Sequence, residues 1–224
     1  MTMTVNVAID GPAGAGKSSV AKAAAAKLGY IYVDTGALYR AVGLNALNRG
    51  IDTTDAAAVE ESLKDITVEL AFVDSQQQVL LNGENVSSLI RTPEASMAAS
   101  NVSAIPAVRA FLFDLQRDIA KANDCIMDGR DIGTVVLPDA KVKIFLTAAP
   151  EVRAKRRYDE LIAKGSNVEY KDVLEELIQR DYNDSHRETA PLKPAEDSVY
   201  LDNGELDLEA SVEKVIGIIK EKIQ

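Results

Sequence analysis

The chain has no tryptophan, one cysteine (Cys125) and one histidine (His186) among its 224 residues. A lone cysteine excludes an intramolecular disulfide and a cysteine-based zinc cluster, and a lone histidine leaves a histidine metal site without a partner. Aromatics are only 5% of residues, which poorly supplies a stacking platform for single-stranded nucleic acid. Positive charge is also in deficit, since 25 basic against 35 acidic side chains give a formal net charge of -10. That balance repels phosphate polymers and anionic membrane surfaces, so neither nucleic acid nor membrane is expected as a partner. No stretch reaches the roughly 18 apolar residues of a membrane span, and the N-terminal residues lack the basic flank and apolar core of a signal peptide. A cytoplasmic protein acting on a small ligand is the expectation.

What is present is enough apolar material, 46% of residues, for one globular domain with a small insertion. The β-branched run Val5–Asp10 reads as a strand, Lys17–Leu28 as a helix, and Tyr30–Asp34 as a second strand, after which Leu38, Val42, Leu44 and Leu47 recur at helical spacing. This alternation predicts a parallel sheet with crossover helices. Residues 65–101 change character: ITVELAFV and QVLLNG alternate around a turn at Asp74–Gln78, and the segment reads as a small antiparallel insertion. Helical spacing returns over Ala107–Lys121, followed by strands ending at Asp128 and near Thr147. Two charged helices, Pro150–Lys164 and Lys171 to about Arg187, flank a turn at Gly165, Ser166 and Asn167; a strand at Ser198–Asp202 and a helix at Leu208–Ile223 complete the pattern. The expected division is one domain over residues 1–224, with a core of 1–64 and 102–224.

Between the first strand and helix, Gly11, Pro12, Ala13, Gly14, Ala15, Gly16, Lys17 and Ser18 match G-x-x-x-x-G-K-[ST]. Such a loop lets successive backbone N–H groups hold phosphate oxygens at a positive helix end. Lys17 reaches the terminal phosphates and the Ser18 hydroxyl ligates Mg²⁺, so ATP with Mg²⁺ is the expected donor, and Asp10 joins this donor site. The chain contains neither the DxxG nor the NKxD string of a GTPase switch. A small kinase remains, and phosphoryl transfer calls for arginines that hold and neutralise oxygens. Arg40 and Arg130 stand out because each follows a strand, where ligands of an open α/β sheet bind. His186 on a charged helix is expected to be solvated, Cys125 to be a packing residue, and Asp128 either to hold a metal-bound water or to order its loop.

The assembled motifs, IDGPAGAGKSS, DTGALYR, RTPEASMAASNVSAIPAVR, DGRDIGTVVLPDAKVKIFL and QRDYNDSHRETAPL, closely resemble those of the bacterial cytidylate kinases, which are nucleoside monophosphate kinases. The resemblance implies a P-loop three-layer α/β fold with an NMP-binding insertion at about 65–101 and a helical lid at about 150–170. It implies transfer of the ATP γ-phosphoryl group to CMP or dCMP; nothing in the sequence demands more than a monomer. By the same likeness, Thr35 and Arg40 hold the acceptor phosphate with Arg130 and Arg187. Ser100, Arg109 and Asp131 read the cytosine edge, Arg180 and Asp184 hold the sugar, and Arg153, Arg156 and Arg157 close over the ATP phosphates. The base-edge chemistry is self-consistent: Asp131 accepts from the N4 amine and Arg109 donates to N3 and O2, whereas the C4 carbonyl of uracil would face a carboxylate at a cost of about 1–3 kcal/mol. Kinases of UMP, AMP or shikimate, and a non-catalytic ATP sensor, are the alternatives at this stage.

Overall fold

A computed structural model describes residues 4–73 and 76–223. Five parallel strands form the central sheet in the order β2-β6-β1-β7-β8: β1 (Asn6–Asp10), β2 (Ile31–Asp34), β6 (Cys125–Gly129), β7 (Val142–Thr147) and β8 (Val199–Asp202). The central strands are buried apolar runs, as a sheet covered on both faces requires. On one face Val20, Ala21 and Ala24 of α1 (Lys17–Leu28) and Val212, Val215 and Ile219 of α8 (Leu208–Ile223) pack onto Val7, Ile9, Ile144 and Leu146. On the other, Ala8, Val33 and Met127 meet Ile132 and Val136 of a π-helical turn and Ala120 of α5 (Pro106–Ala122). Cys125 lies in this layer, where its thiol donates to Asn6 Oδ1 at 3.2 Å and burial pushes its pKa up to about 12.

The insertion contains β3 (Val68–Val73), β4 (Gln76–Leu81) and β5 (Glu84–Asn85), an antiparallel sheet in that order. Part of the expected Asp74–Gln78 turn, residues 74 and 75, lies outside the described residues, and Gln76–Gln78 belong to β4. The expected antiparallel sheet occupies the first half of the insertion, and in its second half Pro93–Ser103 forms α4, capped by Thr92 Oγ1 accepting from Ala95 N. Its small residues gave a weak helical signal, but they suit a close packing against α2 (Thr35–Asn48). A short helix, α3 (Ala56–Ser62), also joins this layer, where Leu38, Val42, Val59, Ile90, Val102 and Leu112 form one cluster. The closest approach is at Gly43, where an added Cβ would fall 2.8 Å from Ala98 Cβ and 3.1 Å from the Ala98 and Ala99 backbone. Backbone cannot swing aside, so Gly43→Val is expected to destabilise the fold by about 1–3 kcal/mol, read as a fall in Tm of about 2–4 °C per kcal/mol; an unchanged Tm would refute the contact.

Two further helices, α6 (Pro150–Ala163) and α7 (Tyr170–His186), pack on each other after β7. Tyr158 and Tyr170 meet edge to face between them.

Candidate active site

Strand register decides where the chemistry collects. Asp10 pairs beside Gly129 and Asp34 beside Asp128, so three strands deliver carboxylates and then loops to the same sheet edge, the C-terminal one that binds ligands in open α/β folds. A cleft of about 850 Å³ opens there. Gly14, Gly16, Lys17 and Ser18 line one part of it and Thr35, Arg40, Ser100, Arg109, Arg130, Asp131 and Arg187 another, with Arg180 and Asp184 of α7 and Arg156 and Arg157 of α6 completing the wall. Ala13 joins them. Eight of the chain's eleven arginines line this cleft.

At the donor end, Gly16 caps α1 with φ 84°, a left-handed conformation that lets the loop turn into the helix. Lys17 Nζ folds back to donate to Pro12 O at 2.8 Å. Its burial, and next Arg130, pull its pKa down to about 7. Ser18 Oγ donates to Asp128 Oδ2 and Tyr32 Oη to Asp128 Oδ1, both at 2.9 Å. Burial and the neighbouring Asp34 push the Asp128 carboxyl up to about 6.

Several residues expected at the donor side make contacts within the protein. Asp10 does not reach the cleft: its Oδ1 accepts from Ile132 N at 2.8 Å and its Oδ2 from Gly133 N at 2.7 Å, so it shapes the turn that carries Arg130 and Asp131. Gly11, Pro12 and Ala15 are buried within the loop. An added Cβ at Gly11 would lie 1.9 Å from Leu146 O, and the Ala15 carbonyl accepts from Asn203 Nδ2 at 3.1 Å. Arg153, expected in a closing lid, is 3% exposed beneath the loop. Its Nη1 donates to Ala13 O at 2.8 Å and pairs with Asp181 Oδ2 at 2.7 Å, its Nε donates to Ala148 O, and Asp181 Oδ1 accepts from Ala13 N at 3.3 Å. Sequence spacing cannot distinguish an arginine at the inner helix face from Arg156 and Arg157 on the cleft side. Arg156 itself holds Asn203 Oδ1 at 3.1 Å and Asn203 O at 2.7 Å, while Arg157 pairs with Glu160 at 2.9 Å.

At the other end, Asp131 is 4% exposed and ion-paired on both oxygens, with Arg109 Nη2 on one and Arg187 Nη2 on the other at 3.5 Å. Arg109 lies over the Tyr39 ring, 5.6 Å from its centroid, and donates to Ser103 O at 3.3 Å. Arg187 donates to Ser103 Oγ at 3.0 Å and Ala190 O at 2.8 Å. Arg130 Nε donates to Asp184 Oδ2 at 2.7 Å. Burial raises the Asp184 carboxyl, but Arg130, Arg180 and Arg187 outweigh it and hold the group below the usual aspartate range. Arg40 Nη2 donates to Asp34 Oδ2 at 2.6 Å. Two donors, Arg40 Nε and Arg180 Nε, are buried without a hydrogen-bond partner among the described residues. Burial and then Arg130 pull Arg180 down to about 10, so it is still charged at neutral pH.

Thr35, in the cleft wall, donates its hydroxyl to Asp128 O at 2.8 Å and ties β2 to β6. His186 is exposed and stacks on Tyr182 with centroids 4.0 Å apart. Sequence reasoning missed Arg91, which lines the cleft 3.6 Å from Asp34 Oδ2, along with Ser103 and Asn203 in the same wall and Tyr32 and Asp181, which bond to Asp128 and Ala13. An arginine just before the Thr92-Pro93 helix start, and Asn203 just after a strand, were the signals available.

Comparison with known proteins agrees with this geometry. The family model described as cytidylate kinase matches residues 7–221. A cytidylate kinase of Caldicellulosiruptor saccharolyticus is 52% identical over 212 residues, covering 95% of this chain and 94% of its own, and one of Lactobacillus gasseri is 48% identical over 222 residues, covering 99% and 96%. Among solved structures, shikimate kinase of Bacteroides thetaiotaomicron superposes with a TM-score of 0.50 at 13% identity, covering 96% of this chain and 98% of its own. That likeness shows a shared P-loop kinase fold and nothing finer. A phosphate loop and an arginine-flanked aspartate lining one cleft, together with this degree of identity over nearly the whole length, make the chain a member of the cytidylate kinase family.

Proposed function

We infer that this protein transfers the γ-phosphoryl group of ATP to CMP or dCMP, giving ADP and CDP or dCDP. The observation that carries the reading is Asp131, buried between Arg109 and Arg187 in the same cleft as Lys17. Cytosine presents a donor amine beside two acceptors, and a carboxylate adjoining a guanidinium is its complement. Ser100 lines the same wall and completes the base edge, while Arg180 and Asp184 face the sugar. Arg40, Arg130 and Arg187 hold the acceptor phosphate.

An acceptor phosphate oxygen attacks the γ-phosphorus, the bond from that phosphorus to the bridging oxygen breaks, and ADP leaves. The attacking oxygen is already anionic, so no general base is needed and His186 has no part. The residues do the work of alignment and charge neutralisation. Lys17, drawn from Pro12 O by phosphate, charges as it binds; Arg130 and Arg187 cover the oxygens between the two nucleotides, and Arg156 and Arg157 the donor side. Arg153 acts indirectly by fixing Ala13.

The site fits a magnesium ion. Ser18 gives its proton to Asp128 and so presents lone pairs forward, and a pair of hard oxygens beside phosphate suits an ion that keeps several waters and phosphate ligands. Bound with ATP, Mg²⁺ supplies positive charge to the phosphate oxygens, with Ser18 as ligand and Asp128 oriented through Ser18 and Tyr32. One chain furnishes both ends of the cleft, which supports a monomer, and use of ATP supports a cytoplasmic setting. The assignment is tested by ADP release with CMP, dCMP, UMP, AMP and shikimate: CMP and dCMP are expected to give the highest kcat/KM, and faster turnover of UMP or AMP would overturn it.

A further inference from the structure

β2 is an edge strand of the central sheet, so the backbone at its C-terminal end has an open side. That side is closed by a side chain from the insertion. Gln77, near the start of β4, accepts from Asp34 N with Oε1 at 2.7 Å and donates to Asp34 O with Nε2 at 3.1 Å. The two bonds to a single residue do what a neighbouring strand would do. Asp34 in turn spends its carboxylate on the acceptor side. Its Oδ1 caps α2 by accepting from Ala37 N at 3.0 Å, and its Oδ2 accepts from Arg40 at 2.6 Å and lies 3.6 Å from Arg91. Arg40 keeps a buried Nε with no partner among the described residues.

We propose that Gln77 is a positioning residue for the acceptor phosphate: its clasp on the Asp34 backbone fixes the carboxylate that aims Arg40. The proposal rests on the reading of Arg40 as a phosphate ligand. It also gives the insertion's β-sheet a task, since it makes the strand end that aims the phosphate ligand dependent on the insertion being docked. The clasp has a distinctive chemical requirement. Position 77 must offer one acceptor and one donor, which a glutamine does at all pH values, a methionine at none, and a glutamate only when protonated.

The test is initial-rate kinetics of the wild type, Gln77→Met and Gln77→Glu, each nucleotide being varied at saturating levels of the other, from about pH 4.5, near the ordinary glutamate pKa, to about pH 8, with each variant expressed relative to the wild type at the same pH. Both substitutions are expected to raise KM for CMP about tenfold at pH 7.5 and to change KM for ATP and kcat less than about threefold. The Gln77→Glu defect is expected to shrink as pH falls and the introduced carboxylate regains its proton, while the Gln77→Met defect stays flat. Equal increases in both KM values, an unchanged KM for CMP, or a Gln77→Glu defect that ignores pH would overturn the clasp. A wild type that does not turn over CMP would instead overturn the functional reading beneath it.

Discussion

Lys17→Met is expected to lower kcat by about two to three orders of magnitude, the typical cost of removing one preorganised charge from a buried transition-state site. The fold should be untouched. The ammonium donates only to Pro12 O, and a methionine of similar length fills its space without a buried charge to desolvate. The same residue has a proton signature whose sign follows from its surroundings. Burial depresses Lys17 to about 7 in the free protein, so at pH 8 it is mostly neutral; ATP phosphates favour the charged form and raise the pKa again. Binding of ATP at pH 8 is therefore accompanied by proton uptake, measured by calorimetry in buffers of different ionisation enthalpy. Uptake should fade below pH 6, where Lys17 is already charged, and should vanish in Lys17→Met. A variant that keeps its rate, or uptake that persists in it, would remove Lys17 from the mechanism.

Asp131→Asn is expected to lower kcat/KM for CMP by one to two orders of magnitude, about 1.4–2.8 kcal/mol, with ATP affinity little changed. Asparagine keeps an acceptor for the base amine but withdraws the charge that balances Arg109 and Arg187, and a buried charge stripped of its partner is costly. The amide can also rotate to donate, which suits the C4 carbonyl of uracil, so the CMP to UMP preference should narrow. Steady-state kinetics with both acceptors and direct titration of ATP decide the matter. An equal loss of ATP affinity would assign Asp131 to the fold or to the donor end.

The fold class was legible because the β-α-β alternation and the phosphate loop are local signals, and each predicted core strand lies within a residue or so of its observed position. The helix α4 was not, because Ala and Ser in MAAS carry little amphipathic contrast; it is fixed by the fit of small residues onto Gly43. The convergence of Arg40, Arg109, Arg130, Arg180 and Arg187 could be anticipated from the motifs, and the structure brings them to one cleft. The roles of Asp10 and Arg153 could not. Both sit in the right segments, but the direction of a side chain at a strand end or on a helix is decided by partners more than 100 residues away, Ile132 and Gly133 for one and Ala13 for the other. Gln77 was invisible for the same reason, since nothing in a polar run of three glutamines marks the one that meets Asp34.

The buried Cys125 has a practical consequence. With its thiol pKa near 12, almost none of it is thiolate at neutral pH, and it should ignore alkylating reagents in the native state. No other cysteine exists in the chain. New cysteines placed on α6 and on the insertion could therefore carry spectroscopic labels selectively on the unaltered native background, and distances across the cleft could be followed during turnover.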